Sequence, residues 1–215
     1  DYAPDRLIGD VAALIRHFGR GQPVRLVGND WGGVVAWLLA EADPSLIKAM
    51  VILNAPHPAV LAAALRDDPV QRAAAAYIQV LRNPGSEATL AARDYAALSG
   101  ALAEPDRRGP MTAVDSAAYR QAWDRPGALK ALLDWSRAAP FLDPAANPSR
   151  PDRPIPVRTL LLWGAEDTAL LPGLADRHRE FCPDLEIRLL PGIGHWPQAE
   201  APDLVAAAML EFFGL

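Results

Sequence analysis

The chain has 215 residues, 51% hydrophobic and 22% charged, which marks a globular protein able to bury a core. A net charge of −5 with no basic block leaves nothing to recruit nucleic acid or an anionic membrane. The one cysteine, Cys182, excludes an intrachain disulfide and any Cys/His pattern with metal-ligand spacing; no apolar stretch reaches the ~18 residues of a membrane span and no signal-peptide pattern opens the chain, so a cytoplasmic enzyme of bacterial type is expected. In chain order, Pro4 to Phe18 reads as an amphipathic helix with Leu7, Ile8, Val11, Leu14, Ile15 and Phe18 on its apolar stripe and Gly19 as its stop. Val24 to Gly28 reads as a strand, Gly32 to Ala42 as a helix closed by Asp43-Pro44, and Ala49 to Asn54 as a second strand. The strands are near-continuous apolar runs, the pattern of a parallel sheet covered on both faces. From Pro58 to about Arg150 the pattern changes to alanine-rich helical segments near 59–66, 69–82, 86–99, 115–124 and 127–138, with no strand between them. Pro140, Pro144, Pro148, Pro151, Pro154 and Pro156 predict a stiff, extended return, after which strand, helix, strand and helix resume from Val157. The division is therefore an α/β core over 1–56 and 151–215 with an all-helical lid over 57–150.

The segment Val27-Gly28-Asn29-Asp30-Trp31-Gly32-Gly33 carries the chemistry. Gly-x-Asp-x-Gly between a strand and a helix has the spacing of a nucleophile elbow, with aspartate where serine usually stands. Glycines at 28 and 32 are expected because Cβ atoms there would clash as the backbone turns sharply. The turn pushes the side chain of Asp30 above the sheet, beside a helix amino end whose free N–H groups favour negative charge. A carboxylate so placed can attack an electrophilic carbon; the plainer alternative is an aspartate that merely caps the helix.

A nucleophile of this kind needs a base, and the base needs an orienting acid, in the chain order nucleophile, acid, histidine. Thr159 to Asp167 is a buried strand ending in Gly164-Ala-Glu166-Asp167, and Leu185 to Trp196 is a strand followed by a glycine-rich loop carrying His195. Asp30, Asp167 and His195 thus follow three separate strands in the required order, and in parallel α/β sheets such positions converge at the carboxyl ends of the strands. Glu166 is the rival acid; the shorter Asp167, one residue further into the loop, fits better. Of the other histidines, His17 reads as solvated, His178 as part of a charged surface helix, and His57 in Pro56-His57-Pro58 as a turn residue. Cys182 reads as a small core or helix-end residue.

Gly28-Asn29-Asp30-Trp31-Gly32-Gly33, Leu53-Asn54-Ala55-Pro56-His57-Pro58, Trp163-Gly164-Ala165-Glu166-Asp167 and Gly194-His195-Trp196-Pro197-Gln198-Ala199-Glu200-Ala201-Pro202 together resemble the epoxide hydrolase branch of the α/β-hydrolase superfamily, over essentially the whole chain. The elbow is shared with haloalkane dehalogenases; the Asn54 to Pro58 stretch and the histidine loop with Gln198 and Glu200 favour the epoxide side. Trp31 stands where fluoroacetate-type dehalogenases carry arginine. The resemblance implies the α/β-hydrolase fold with a helical lid, a cofactor-free covalent hydrolysis of a small apolar epoxide, and an oxyanion contact from the Trp31 N–H. It also implies two lid tyrosines that donate to the opening oxygen. Tyr77, seven residues before Pro84-Gly85, matches the first, although it also reads as a helix residue packed on Ala73, Ala74 and Leu81. Serine, Ser136, occupies the place of the second, and Tyr119 nearby has no supporting motif. Against the family pattern the chain looks N-terminally truncated, lacking the strands and the His-Gly-x-Pro loop that normally precede the elbow. Three functions stand as expectations: epoxide opening through an ester on Asp30, haloalkane dehalogenation by the same nucleophile, and an inactive remnant of such an enzyme.

Overall fold

The computed structural model describes residues 2–102, 112–143, 151 and 153–215. Four strands, β1 (Val24–Asn29), β2 (Ile47–Leu53), β3 (Thr159–Gly164) and β4 (Leu185–Leu190), form one parallel sheet in the order β1-β2-β3-β4. Val27, Val51 and Leu160 stand side by side on one face; Ile52 and Leu161 share the other. Parallel strands need crossovers, and these supply the helices that cover the sheet. Helix α1 (Pro4–Phe18) precedes β1, α2 (Trp31–Ala42) joins β1 to β2, and α10 (Pro202–Phe213) ends the chain after the short helix α9 (Pro197–Glu200). Met50, Ile52, Leu161 and Trp163 bury the face toward Trp37 and Leu39 of α2, while Val51, Leu160 and Leu162 meet Val205, Ala208 and Phe212 of α10.

The expected coverage of both faces holds for the two central strands only. Every residue of β3 is buried, as is every residue of β2 except Lys48. Arg25 and Val27 of β1 and Glu186 and Leu189 of β4 are exposed, since the buried residues of α10 pack on β2, β3 and Leu190; the Phe213 ring of α10 sits 5.7 Å from the Arg25 guanidinium. The stripe of α1 is likewise only partly used. Ala12 and Ile15 are buried, but Leu14 and Phe18 face solvent, since α1 rests mainly on α2 and its stripe is wider than that contact.

Between β2 and β3 the described residues form helices and a 3-10 turn, with no strand: α3 (Pro58–Asp67), α4 (Pro69–Ala74), α5 (Tyr77–Arg82), α6 (Ser86–Leu102), α7 (Ala113–Trp123), α8 (Ala128–Ala138) and the turn Pro140–Leu142. Most sequence-based bounds move by a residue or two, and three readings change more. The helix expected over 69–82 breaks at Ala75 and Ala76 into α4 and α5. The helix expected over 86–99 runs to Leu102 but leaves helical geometry at Ala92 to Tyr95, where Arg93, Asp94 and Tyr95 take positive φ. Pro140 opens a 3-10 turn instead of an extended return, and Pro144 and Pro148 lie outside the described residues. Proline at the first position of α1, α3 and α4 loses no hydrogen bond there. Among the described residues no helix is long and apolar enough to cross a membrane.

His178 departs most from its sequence-based reading. The segment Pro172–Glu180 is a 3-10 helix, and His178 is fully buried within it, not on a solvated surface. Its ring stacks on Trp37 at 5.0 Å, its Nδ1 lies 2.9 Å from Ala175 O, and its Nε2 accepts from the His57 N–H at 2.9 Å. Burial pushes its pKa down to about 4. A polar-looking run hides it because the 3-10 repeat of three puts Ala175 and His178 on one face. His57 is buried too; its Nδ1 caps α3 by accepting from Ala59 N–H, so its Nε2 carries the proton and faces Glu41 at 3.2 Å. Cys182 is buried, as a core residue should be.

Candidate active site

Asp30 is the single residue between the end of β1 and the start of α2, with φ 50° and ψ −122°. A non-glycine residue held there stores roughly 1–3 kcal/mol of strain and persists only where its surroundings enforce it. They do so by close packing on both sides. A Cβ on Gly28 would come within 2.6 Å of the Gly32 carbonyl carbon and 2.7 Å of the Gly33 nitrogen. The second pinch is at Gly33, where a Cβ would run into the Ala55 side chain and lie 3.2 Å from Ile52 Cγ2. The clash expected at Gly32 does not occur: its Cβ position meets open space, because the strand crowds the backbone of that residue and not its outer side.

Two further strand ends deliver the partners. His195 follows β4, with Nδ1 2.7 Å from Asp167 Oδ2 and Nε2 3.1 Å from Asp30 Oδ1. Asp167 follows β3 and is buried, whereas its neighbour Glu166 points to solvent. Its Oδ1 accepts from the N–H groups of Ala169 and Leu170 at 2.9 and 2.8 Å. Its Oδ2 accepts from Asn54 Nδ2 at 2.7 Å as well as facing His195. The histidine is therefore clasped between two carboxylates. Burial works against its charged form, but the hydrogen bonds to Asp167 and Asp30 and the two negative charges overcome this and push its pKa up to about 10. The two carboxylates favour the imidazolium form of the ring.

Asn54 and Glu200 brace this arrangement. Asn54, fully buried and at positive φ, accepts from the Gly164 N–H at 2.9 Å and donates to both Asp167 and, at 3.3 Å, Gly194 O. Glu200 accepts from the N–H groups of Gly194 and Trp196 at 2.7 and 2.9 Å, gripping the backbone on both sides of His195. Gln198 donates to Asn29, which in turn donates to Leu53 O and His195 O. Asn54 directly follows β2 at a positive φ that glycine, asparagine and aspartate adopt most easily, a signal the sequence does carry. Glu200, five residues beyond a histidine, carries no such signal by itself.

Asp30, Trp31 and His195 open into a cavity of about 550 Å³ whose far wall comes from the helical insertion. Tyr77 at the start of α5 and Ser136 on α8 both line it. Leu81, Leu90, Leu98 and Leu132 make much of the remainder apolar. Tyr77 is half-exposed and Ser136 buried. Tyr119 instead rests on Trp123, with ring centroids 5.6 Å apart, and is not among the residues lining the cavity. Trp31, the first residue of α2, packs its indole against Trp135 and Phe141 at 5.5 and 5.9 Å.

Comparison with known proteins gives this geometry a context. Residues 1–202 match the model of a family described by the alpha/beta hydrolase fold. The chain is 34% identical to the AB hydrolase superfamily protein YfhM of Bacillus subtilis, over 98% of its own length and 72% of that protein. It is 28% identical to Epoxide hydrolase 4 of Mus musculus, over 98% of its own length and 59% of the mouse protein, so it spans well under two thirds of that relative. Among solved structures, one of the epoxide hydrolases of the alpha/beta hydrolase superfamily from metagenomes of hot environments superposes with a TM-score of 0.83 at 33% identity, covering 99% of this chain and 74% of that one.

Proposed function

The chain belongs to the α/β hydrolase fold family, and from that premise we propose that it opens an epoxide to a vicinal diol through a covalent ester on Asp30. The observation that supports this reading best is a carboxylate, not a hydroxyl, at the elbow, 3.1 Å from a histidine that a second carboxylate orients, at the mouth of an apolar cavity. An ester of aspartate can be hydrolysed at its own carbonyl; an ether on serine could not. Residues 1–56 and 151–215 serve as the catalytic core, and 57–150 as a lid that supplies the far wall.

Asp30 Oδ attacks the less hindered epoxide carbon, the ring C–O bond breaks, and the oxygen takes a proton from the Tyr77 hydroxyl. The ester removes one of the two negative charges that hold His195 protonated. Its proton affinity falls at that moment, and the proton it releases returns the Tyr77 phenolate left by the first step to the phenol. His195 then accepts a proton from water, which attacks the ester carbonyl while Asp167 steadies the imidazolium and the Trp31 N–H stabilises the oxyanion. The base is thus switched on by the first step, which keeps it from competing for protons before the ester exists. The intermediate collapses with cleavage of the bond between the Asp30 carbonyl carbon and the substrate oxygen, which takes a proton from His195; the proton of the new Asp30 carboxyl returns to His195, and the diol departs with one water consumed.

Asp30→Ala should abolish turnover. His195→Gln should still alkylate, so intact-protein mass spectrometry after exposure to styrene oxide should show a stable adduct that peptide mapping places on Asp30. Wild-type protein given epoxides and bromoalkanes should form diol and release little bromide. Normal turnover by His195→Gln, or an adduct elsewhere, overturns the assignment. Bromide release above diol formation transfers it to dehalogenation, and silence on both substrates to a non-catalytic role.

A further inference from the structure

Gln71 is a polar side chain with no place in the chemistry above, yet it is fully buried. It lies on α4, in the helical insertion, remote in sequence from the acid loop. Its amide meets that loop with both ends: Nε2 donates to Ala169 O at 2.8 Å and Oε1 accepts from Leu171 N–H at 2.9 Å. The pair of bonds copies the way a neighbouring strand would hold the backbone of residues 169–171. The loop segment so held is the one whose Ala169 and Leu170 N–H groups grip Asp167 Oδ1. Thr168, Ala169 and Leu170 also line the cavity. A second tie runs beside the first, from Arg177 to Asp68 at 3.1 Å, and Asp68 caps α4 by accepting from the Gln71 N–H at 3.1 Å.

We propose that Gln71 is a positioning residue that couples the helical insertion to the acid of the active site, fixing the Asp167 carboxylate through the 169–171 backbone. Resting on the reading of Asp167 and His195 given under the proposed function, it deepens that reading by making the insertion a part of the catalytic frame as well as a wall. The physical reason is the cost of leaving the loop unpaired. Ala169 and Leu171 are partly buried, but the Gln71 amide that meets them is fully buried, so the amide is satisfied only while the loop keeps this shape, and the loop is held by a partner of fixed length and polarity. A loop that relaxes turns the two N–H groups away from Oδ1, and the carboxylate then loses its fixed aim at His195 Nδ1.

Gln71→Met separates packing from hydrogen bonding, since it keeps the volume and removes both polar contacts. The measurement is the His195 imidazole by NMR: the downfield proton of the Nδ1 bond and the ring titration near pH 10. In a folded Gln71→Met variant the downfield signal should broaden or vanish and the titration midpoint should fall by about one unit, a tenfold loss in proton affinity. If the protein turns over epoxides, kcat should fall about tenfold with KM nearly unchanged. A variant that loses thermal stability but titrates His195 as the wild type does overturns the proposal. The NMR readout needs no substrate, so failure of the epoxide reading would show as absent turnover in wild type while the His195 shift still decides the role of Gln71. Hydrogen exchange on the wild-type chain tests the same coupling without any substitution: the Leu171 amide should exchange no faster than the amides of α4. Fast exchange at Leu171 beneath a protected α4 overturns the coupling even if the variant does not fold.

Discussion

Adding one methyl group to Gly164 should disable the site without touching any of its functional side chains. Gly164 ends β3, and its Cα faces the loop that carries His195. An ideal Cβ there falls 2.5 Å from Ile193 O, 2.9 Å from the Gly194 carbonyl carbon and closer still to Gly194 O, whereas real Cβ atoms keep beyond 3.0 Å. The obstacles are backbone atoms, so no rotamer change relieves them. The loop must retreat by at least about half an ångström at Ile193 and more at Gly194, which immediately precedes His195, so a displacement of about 1 Å at the histidine follows. The two bonds that define its position, 2.7 Å to Asp167 and 3.1 Å to Asp30, have little room for that. A misplacement of ~1 Å costs about a hundredfold in rate, and overpacking of this kind costs about 1–3 kcal/mol of stability. The assay is paired: diol formation from styrene oxide for Gly164→Ala against wild type, and the His195 titration by NMR, which should drop below its value near 10 as the carboxylates move away. A Gly164→Ala protein with wild-type rate, melting temperature and His195 titration would refute the reasoning, because it would mean that the loop yields without moving the histidine.

Other expectations concern the buried histidine pair and the cavity wall. His178 is neutral when folded, with burial holding its pKa at about 4. An unfolded histidine takes its proton near 6.5, so the unfolded state binds more protons between those values and stability falls as pH drops from about 6.5 to 4, by about 3 kcal/mol in all. Chemical denaturation across that window should show the loss, and His178→Gln should flatten it; equal slopes in both proteins would count against the assignment. His195 contributes in the opposite sense and in a different window: its raised pKa adds stability that is full below about pH 6.5 and is lost as pH rises towards 10, which His195→Gln should remove. Tyr77→Phe should cut epoxide opening by about a hundredfold, the lower end of what a general acid contributes, while leaving hydrolysis of a preformed ester on Asp30 unchanged in single-turnover experiments. Ser136→Tyr, which places a second phenol on the wall of a cavity of about 550 Å³, should raise the rate of ester formation; a fall with unchanged folding would show that the serine is the adapted residue.

Much of this molecule was legible in the order of its residues, and the reason is that the legible parts are local. A helix from Pro4 to Phe18 follows from a 3.6-residue repeat, a proline at its start and a glycine at its end, and the structure returns those bounds. Strand ends announce themselves through apolar runs that stop at glycine, and Asp30, Asp167 and His195 each stand just past one, so that the topology of a parallel sheet alone brings them to one edge. Side-chain length favours Asp167 over Glu166 in the sequence, and folding buries Asp167 and leaves Glu166 exposed. What tertiary structure alone decided is whatever depends on groups far apart in the chain meeting across a gap. The burial of His178 needs Trp37 and the His57 N–H, more than a hundred residues away. The exposure of Val27 needs the reach of α10, and the open space beside Gly32 needs the path of its neighbours. Gln71 shows the division most plainly. Nothing in Val70-Gln71-Arg72 names a partner for the glutamine, and it meets the acid loop only because folding carries that loop, a hundred residues on, to both ends of its amide. Periodicity records which face of an element is apolar; it holds no record of which buried polar groups will find each other, because hydrogen bonds are directional and their partners are set by the packing of whole elements.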